Sequence, residues 1–229
     1  MYRVETHLHT WPVSRCAKAT VEESLDYYKS LSYDAVFVTN HFINSNTIIE
    51  GLNSYEEKLN FYFSDYERAV EYGKEIGLKV FCGIEMAYKK ADFLIYGLDK
   101  EWFLNHPEIE EMPIDEKLDF MMENGALVIQ AHPFRLGGKI KYLRLFPNRV
   151  HGVEIINSSR NEFENSMAKF YCEQYNLIEF AGSDNHTASK RKLLSGVSFE
   201  EPVLSVQDFI EKVKNRKGKV FHIGLYVGA

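Results

Sequence analysis

Tyr2-Arg3-Val4-Glu5-Thr6-His7-Leu8-His9 is the stretch on which the fold turns. It is short, begins with β-favouring residues and ends on two imidazoles two positions apart. Two-residue spacing puts His7 and His9 on the same face of a strand end, where both can reach one point in space. The same plan recurs along the chain. Ala35-Val36-Phe37-Val38-Thr39-Asn40 delivers His41, and Lys79-Val80-Phe81-Cys82-Gly83-Ile84 delivers Glu85. Ala126-Leu127-Val128-Ile129-Gln130-Ala131 delivers His132, and Ile178-Glu179-Phe180-Ala181-Gly182-Ser183 delivers Asp184 and His186. Each run is rich in β-branched or aromatic residues and reads as a buried strand. If the strands lie parallel, five His and two carboxylates meet at their C-terminal ends, a donor set suited to metal ions.

Taken singly these residues say little. A lone His-x-His is common on surfaces and in cores, His41 or His132 alone reads as a structural histidine, and Glu85 alone as a strand-terminal surface residue. Their recurrence at five strand ends is what points to metal. Buried imidazoles and carboxylates without partners are costly, and a shared ion removes that cost.

Helical segments separate the strands. Thr20 and Glu23 form a capping box ahead of a helix running to about Leu31. A longer helix is expected from about Ser54 to Ile76, ended by Gly77. Others are expected from Pro113 to Asn124-Gly125, from Glu162 to Tyr175 and from Ser205 to Asn215. Alternation of strand and helix argues for parallel strands with crossover helices. Seven strands are unusual for an open sheet but fit a barrel, and with no repeat or linker in view the 229 residues read as one domain, 1–229. Val220-Phe221-His222-Ile223-Gly224-Leu225 reads as an additional strand or a docking tail. Polar segment 44–53 and the basic connection 133–148 read as loops at the face where barrel strands end, the place where such folds build binding sites.

Bulk properties exclude several classes. A net charge of -6 and a pI near 5.8 leave no basic footprint for duplex nucleic acid. No apolar stretch approaches the roughly 20 residues of a membrane span, and no leader signal opens the chain. Three cysteines, Cys16, Cys82 and Cys172, are too few for a disulfide framework, so a reducing cytoplasm is the expected setting.

In order, His7-Leu8-His9-Thr10, Thr39-Asn40-His41, Gly83-Ile84-Glu85, Ala131-His132-Pro133 and Gly182-Ser183-Asp184-Asn185-His186 resemble the motif set of the PHP (polymerase and histidinol phosphatase) family. The resemblance spans residues 7 to 186. It implies a distorted seven-stranded (β/α) TIM-like barrel with a two- or three-metal site, usually acting on phosphoesters. It also implies an assignment: His7, His9, Glu85 and Asp184 around one ion, Glu85 bridging to a second with His132, and His41 with His186 around a third. Two departures stand out. Asn40 occupies a place where relatives carry Asp, which implies a lost hydrogen-bond acceptor behind the site. Aligned on Ser14, Cys16 falls where relatives complete the third site, so it reads either as a thiolate ligand or as an inert cysteine. Relatives often supply a His at the start of the strand after Gly-x-Glu, and here that position is Asp92, a carboxylate able to replace it. Glu154 and Asn157 read as residues supporting the ligands or orienting substrate.

Mixed nitrogen and oxygen donors favour zinc, manganese or iron over magnesium and calcium. Asp184 and His186 are the candidates for moving protons. Arg15, Arg135 and Arg160 are the candidates for gripping phosphate oxygens, each with the plainer reading of a solvated cation. The expected activity is hydrolysis of a small phosphorylated molecule. Two alternatives stay open: a single-strand nuclease or oligonucleotide phosphodiesterase, in which Trp11 and the basic loop engage a few nucleotides, and a non-catalytic module stapled by metal.

Overall fold

A computed structural model describes residues 1–137 and 141–224. Gly138, Lys139 and Ile140 of the expected basic loop, and Leu225 of the expected last strand, lie outside the described residues. Strands are β1 (Tyr2–Leu8), β2 (Ala35–Val38), β3 (Lys79–Tyr88), β4 (Ala91–Tyr96), β5 (Leu127–Ala131), β6 (Gly152–Asn157), β7 (Ile178–Gly182), β8 (Leu193–Phe199) and β9 (Lys219–Gly224). Helices are α1 (Val21–Ser30), α2 (Tyr55–Ile76), α3 (Lys100–Asn105), α4 (Ile114–Glu123), α5 (Glu162–Gln174) and α6 (Val206–Lys214).

All nine strands form one sheet in the order β7-β6-β5-β4-β3-β2-β1-β8-β9. It curls until β7 meets the end of β1. There Leu8 bridges to Asn185, the His9 N–H donates to the Asn185 carbonyl at 3.0 Å, and Thr6 Oγ1 donates to the Ala181 carbonyl at 2.5 Å. The result is a nearly closed barrel. The expected count of seven is corrected to nine among the described residues. The expectation of uniformly parallel strands is corrected too. β1, β2 and β3 run parallel to one another, as do β5, β6 and β7, but β4 is antiparallel to both its neighbours. The cause is local. β3 and β4 are joined only by Lys89 and Lys90, both with positive φ (46° and 75°), a tight hairpin turn that leaves no length for a crossover helix. β8 and β9, antiparallel to each other with α6 between them in the chain, extend the sheet beyond β1.

Capping signals are realised. Thr20 with Glu23 and Ser54 with Glu57 form reciprocal capping boxes, and Gly77 ends α2 in the left-handed conformation at φ 67°. Inside the barrel, Val4, Phe37, Leu94, Tyr96, Ile129 and Phe180 pack with Phe209 of α6, which closes the end opposite the strand termini. Outer apolar layers lie between the strands and α1, α2, α4 and α5. Among the described residues, no helix is long and apolar enough to cross a membrane.

Candidate metal centre

Seven side chains from the strand ends meet in one place. From the end of β1, His7 Nε2 lies 3.1 Å from His9 Nε2 and 3.3 Å from Glu85 Oε1. Glu85, inward on β3 and 1% exposed, is the hub: His132 Nε2 is 3.2 Å from Oε1, while His41 Nδ1 at 2.6 Å and His9 Nε2 at 3.5 Å face Oε2. Asp184 Oδ1 lies 3.8 Å from His7 Nε2, 3.6 Å from His9 Nε2 and 3.4 Å from His186 Nδ1. Three overlapping trios result: His7–Glu85–His132, His7–His9–Asp184 and His9–His41–His186, each with donor atoms within 4.8 Å of one another.

Two observations test whether these residues fit metal ions. Glu85 Oε2 is buried and accepts no hydrogen bond, although His41 Nδ1 is in charge contact with it. That oxygen has imidazole nitrogens as its neighbours, His41 Nδ1 in ion-pair contact and His9 Nε2 at 3.5 Å, and keeps lone pairs for a shared cation. His7 and His9 also turn their Nε2 atoms on each other, an arrangement natural to two ligands of one ion. The donor set fits divalent metal.

Further residues hold these groups in place. His7 Nδ1 meets Glu154 Oε1 at 2.9 Å, and the His132 N–H donates to Glu154 Oε2 at 3.0 Å. Asn157 Nδ2 donates to Glu154 Oε2 at 2.8 Å and to Asp184 Oδ2 at 3.4 Å. His9 Nδ1 pairs with Ser14 Oγ at 3.1 Å. A carboxylate behind a ligating imidazole fixes its tautomer and raises its basicity. Glu5 was not foreseen. It accepts from the backbone N–H groups of Thr6, His7 and Ser183 and from Ser183 Oγ, tying β1 to the segment carrying Asp184. The period of two does not relate it to His7 and His9, because β1 is irregular between Glu5 and Leu8 and Glu5 turns to Ser183 and the Tyr28 side of the sheet. At Gly182 a Cβ would stand 2.5 Å from the Cβ of His7, which explains the glycine before Ser183-Asp184. Asp184 and His132 are non-glycine residues with positive φ (50° and 27°), strained backbone where the ligands are aimed.

Electrostatics follow the geometry. Burial alone pushes His7 down, but Glu154, Asp184 and Glu85 together hold it well above its ordinary value. Burial would raise Glu85, but His41 and His7 hold it well below the usual carboxylate range. His9 is depressed by burial and by His186 and His41. Cys16 Sγ sits 3.2 Å from His41 Nε2. Burial favours its thiol, yet hydrogen bonds from His186 and His41 bring it down to about 6. The geometry thus places Cys16 beside the outer trio.

The other expected residues divide. Asp92 reaches the cluster's rim, where its Oδ2 is held 2.8 Å from Arg135 Nη2. Arg15 pairs with Glu50 in the 44–53 loop and is half exposed. Arg160 lines a cleft with Lys169 and His222, and no residue of the imidazole–carboxylate cluster lines it. Asn40 corrects the expected loss of an acceptor. Its Oδ1 accepts from the Thr10 N–H at 2.7 Å and from Ser14 Oγ at 2.8 Å, and its Nδ2 faces Asp65 Oδ2 at 3.4 Å. Asp65, a buried carboxylate on α2, supplies the negative charge that position 40 lacks.

No family model matches the chain. An uncharacterized protein of Methanocaldococcus jannaschii is 32% identical over 145 residues, which are 58% of this chain and 59% of that protein. The chain therefore spans less than two thirds of this curated relative. A two-domain protein from Bacteroides vulgatus, described as containing a predicted PHP-like metal-dependent phosphoesterase, superposes with a TM-score of 0.72 at 15% identity, over 96% of this chain and 64% of its own. PsfC from Pseudomonas syringae gives 0.61 at 18% identity, covering 98% and 92%. An amidohydrolase from Chromobacterium violaceum gives 0.52 at 10% identity, covering 96% and 97%. At such identities the likeness is one of fold, and the chain has the fold of PHP-like structures.

Proposed function

We propose that this chain is a metal-dependent phosphoesterase that hydrolyses a small phosphorylated molecule. The convergence of five imidazoles with Glu85 and Asp184 into three overlapping donor trios carries this reading. His7, His9 and Asp184 would hold one ion, Glu85 with His132 a second, and His41 with His186 and Cys16 a third. Zinc, manganese or iron suits the donors. Such ions supply Lewis-acid charge and a water acidic enough to ionise near neutral pH, two requirements of phosphoester hydrolysis. Glu154 and Ser14 hold His7 and His9 in fixed orientation, so the site is organised before substrate arrives. Asp184, whose Oδ1 has the His7, His9 and His186 nitrogens around it, would take a proton from the attacking water. His186 would deliver one to the leaving oxygen from Nε2, its Nδ1 being held by the Asp184 carbonyl at 3.0 Å, and in that role it would not also bind the third ion. A second reading, an oligonucleotide phosphodiesterase, draws support from Trp11 and Tyr142, both exposed and able to stack on bases.

The test is metal quantification on purified protein with a hydrolysis screen of phosphomonoesters and short oligonucleotides. At least two transition-metal ions per chain are expected. Glu85→Ala or Asp184→Ala should lose more than about 100-fold of turnover with circular dichroism unchanged. Turnover of oligonucleotides but not of small phosphates would favour the second reading. A metal-loaded protein inert on both overturns catalysis.

A further inference from the structure

Asp92 and Arg135 each have a use at this centre, and the structure joins them to each other. In the β3–β4 pairing Leu94 stands opposite Glu85 and Asp92 opposite Ala87. Directly opposed residues share a face, and so do residues two apart on one strand. Asp92 therefore lies on the inward face of Glu85, one step nearer the barrel mouth. Across β5 it stands opposite Ala131, the residue before His132. It is 6% exposed. Arg135 follows by a turn in which its N–H donates to the His132 carbonyl at 2.9 Å. Its guanidinium thus reaches back across His132 to Asp92.

The carboxylate stands on the inward face one step above Glu85 and opposite the residue before His132, outside the donor trios, and a guanidinium occupies it. Two cations compete for one carboxylate, and a divalent ion brings twice the charge of an arginine. We propose that Arg135 is a metal-released substrate arm: without metal it caps Asp92, and when an ion is held by Glu85 and His132, Asp92 turns to that ion and the freed guanidinium grips substrate phosphate. The planar fork of arginine suits a phosphate oxyanion. Lys90 and Arg144 line the same crevice beside His132, so the released arm stays in a region favourable to anions. The arrangement rests on the metal-dependent reading above and adds an order to it, with metal first and phosphate second.

Linkage makes this testable without turnover. Full-length protein stripped of metal is titrated calorimetrically with Zn²⁺, then with inorganic phosphate, as the parent, Arg135→Met, Asp92→Asn and the double variant. R135M should bind the Asp92-dependent ion about tenfold more tightly, because its competitor is gone. D92N should bind that ion at least about tenfold more weakly, and R135M should add nothing on the D92N background. Phosphate should bind the metal-loaded parent at least about tenfold more tightly than metal-loaded R135M, and the metal-free pair alike. An R135M protein with parental zinc affinity overturns the proposal, as does an equal loss of phosphate binding with and without metal. A parent that takes up no zinc overturns the metal-dependent reading itself, and this inference with it.

Discussion

At the scale of residues, Asn40 and Asp65 show how a charge can move while its electrostatic role stays. Asn40 Oδ1 accepts from Thr10 and Ser14, and its Nδ2 donates to Thr10 Oγ1 at 2.8 Å while facing Asp65 Oδ2. Replacing Asn40 with Asp would keep both accepted bonds but set a second carboxylate against Asp65. Burial already raises Asp65 above the usual carboxylate range, so a like charge beside it is costly. Asn40→Asp should therefore destabilise by about 2–4 kcal/mol. Adding Asp65→Asn returns an amide opposite the carboxylate, and the double variant should recover most of that loss in urea unfolding. A strictly additive cycle would show that the two side chains do not interact. Position 40 was legible as a departure because it interrupts a motif. Its compensation was not, because Asp65 lies 25 residues away in the middle of a helix whose pattern reads as an ordinary mixed face. Glu5 stayed hidden for another reason: within a strand, one acid among alternating residues carries no sign of whether its face is core or solvent.

At the scale of elements, β5 and β6 are joined by a contact with a titratable centre. The Val128 N–H donates to His151 Nδ1 at 3.1 Å, and the His151 N–H donates to the Val128 carbonyl at 2.8 Å. Protonating Nδ1 would turn an acceptor into a donor facing another donor. Burial, with Lys214 adding to it, lowers His151 from 6.5 to about 4. The unfolded chain takes up this proton near pH 6.5 and the folded chain resists until about 4, so the contribution is complete above 6.5 and drains away as pH falls through that window. His151→Gln keeps an acceptor for Val128 without a titration. Its urea midpoint, measured with chelator present, should fall less steeply than the parent's between pH 6.5 and 4. Parallel curves would remove His151 from the acid response. Element identity was well marked where chemistry marks it, as in the capping boxes of α1 and α2 and the left-handed Gly77. β8 escaped because Leu193-Leu194-Ser195-Gly196-Val197-Ser198-Phe199 holds Ser and Gly where a strand signal needs branched or aromatic residues. The reversal of β4 escaped because periodicity reveals a strand without its direction; only the two-residue Lys89-Lys90 turn told against a crossover.

At the scale of the whole molecule, the barrel closes where the candidate ligands gather. The seam between β1 and β7 is held by Leu8 against Asn185, by Thr6 on Ala181, and by Glu5 on Ser183. His7, His9, Asp184 and His186 belong to the two segments that meet there, while His41, Glu85 and His132 arrive from β2, β3 and β5. An ion shared among them would link chain segments distant in sequence, and the unfolded chain has no such site. Ligands that bind only the native state stabilise it, by about 2.7 kcal/mol when present at 100 times their Kd. For a chain of this length that corresponds to about 5–10 °C in Tm. Chelation should therefore lower Tm by that amount in scanning calorimetry, and re-adding zinc or manganese should restore it. The Glu85→Ala protein should respond much less, because its hub carboxylate is gone, and it should do so without losing the seam contacts, none of which involves Glu85. If parent and variant lose the same number of degrees on chelation, the stabilising ion is bound elsewhere on the surface. If neither responds, the strand ends hold no metal in solution and the clustering of imidazoles serves packing alone.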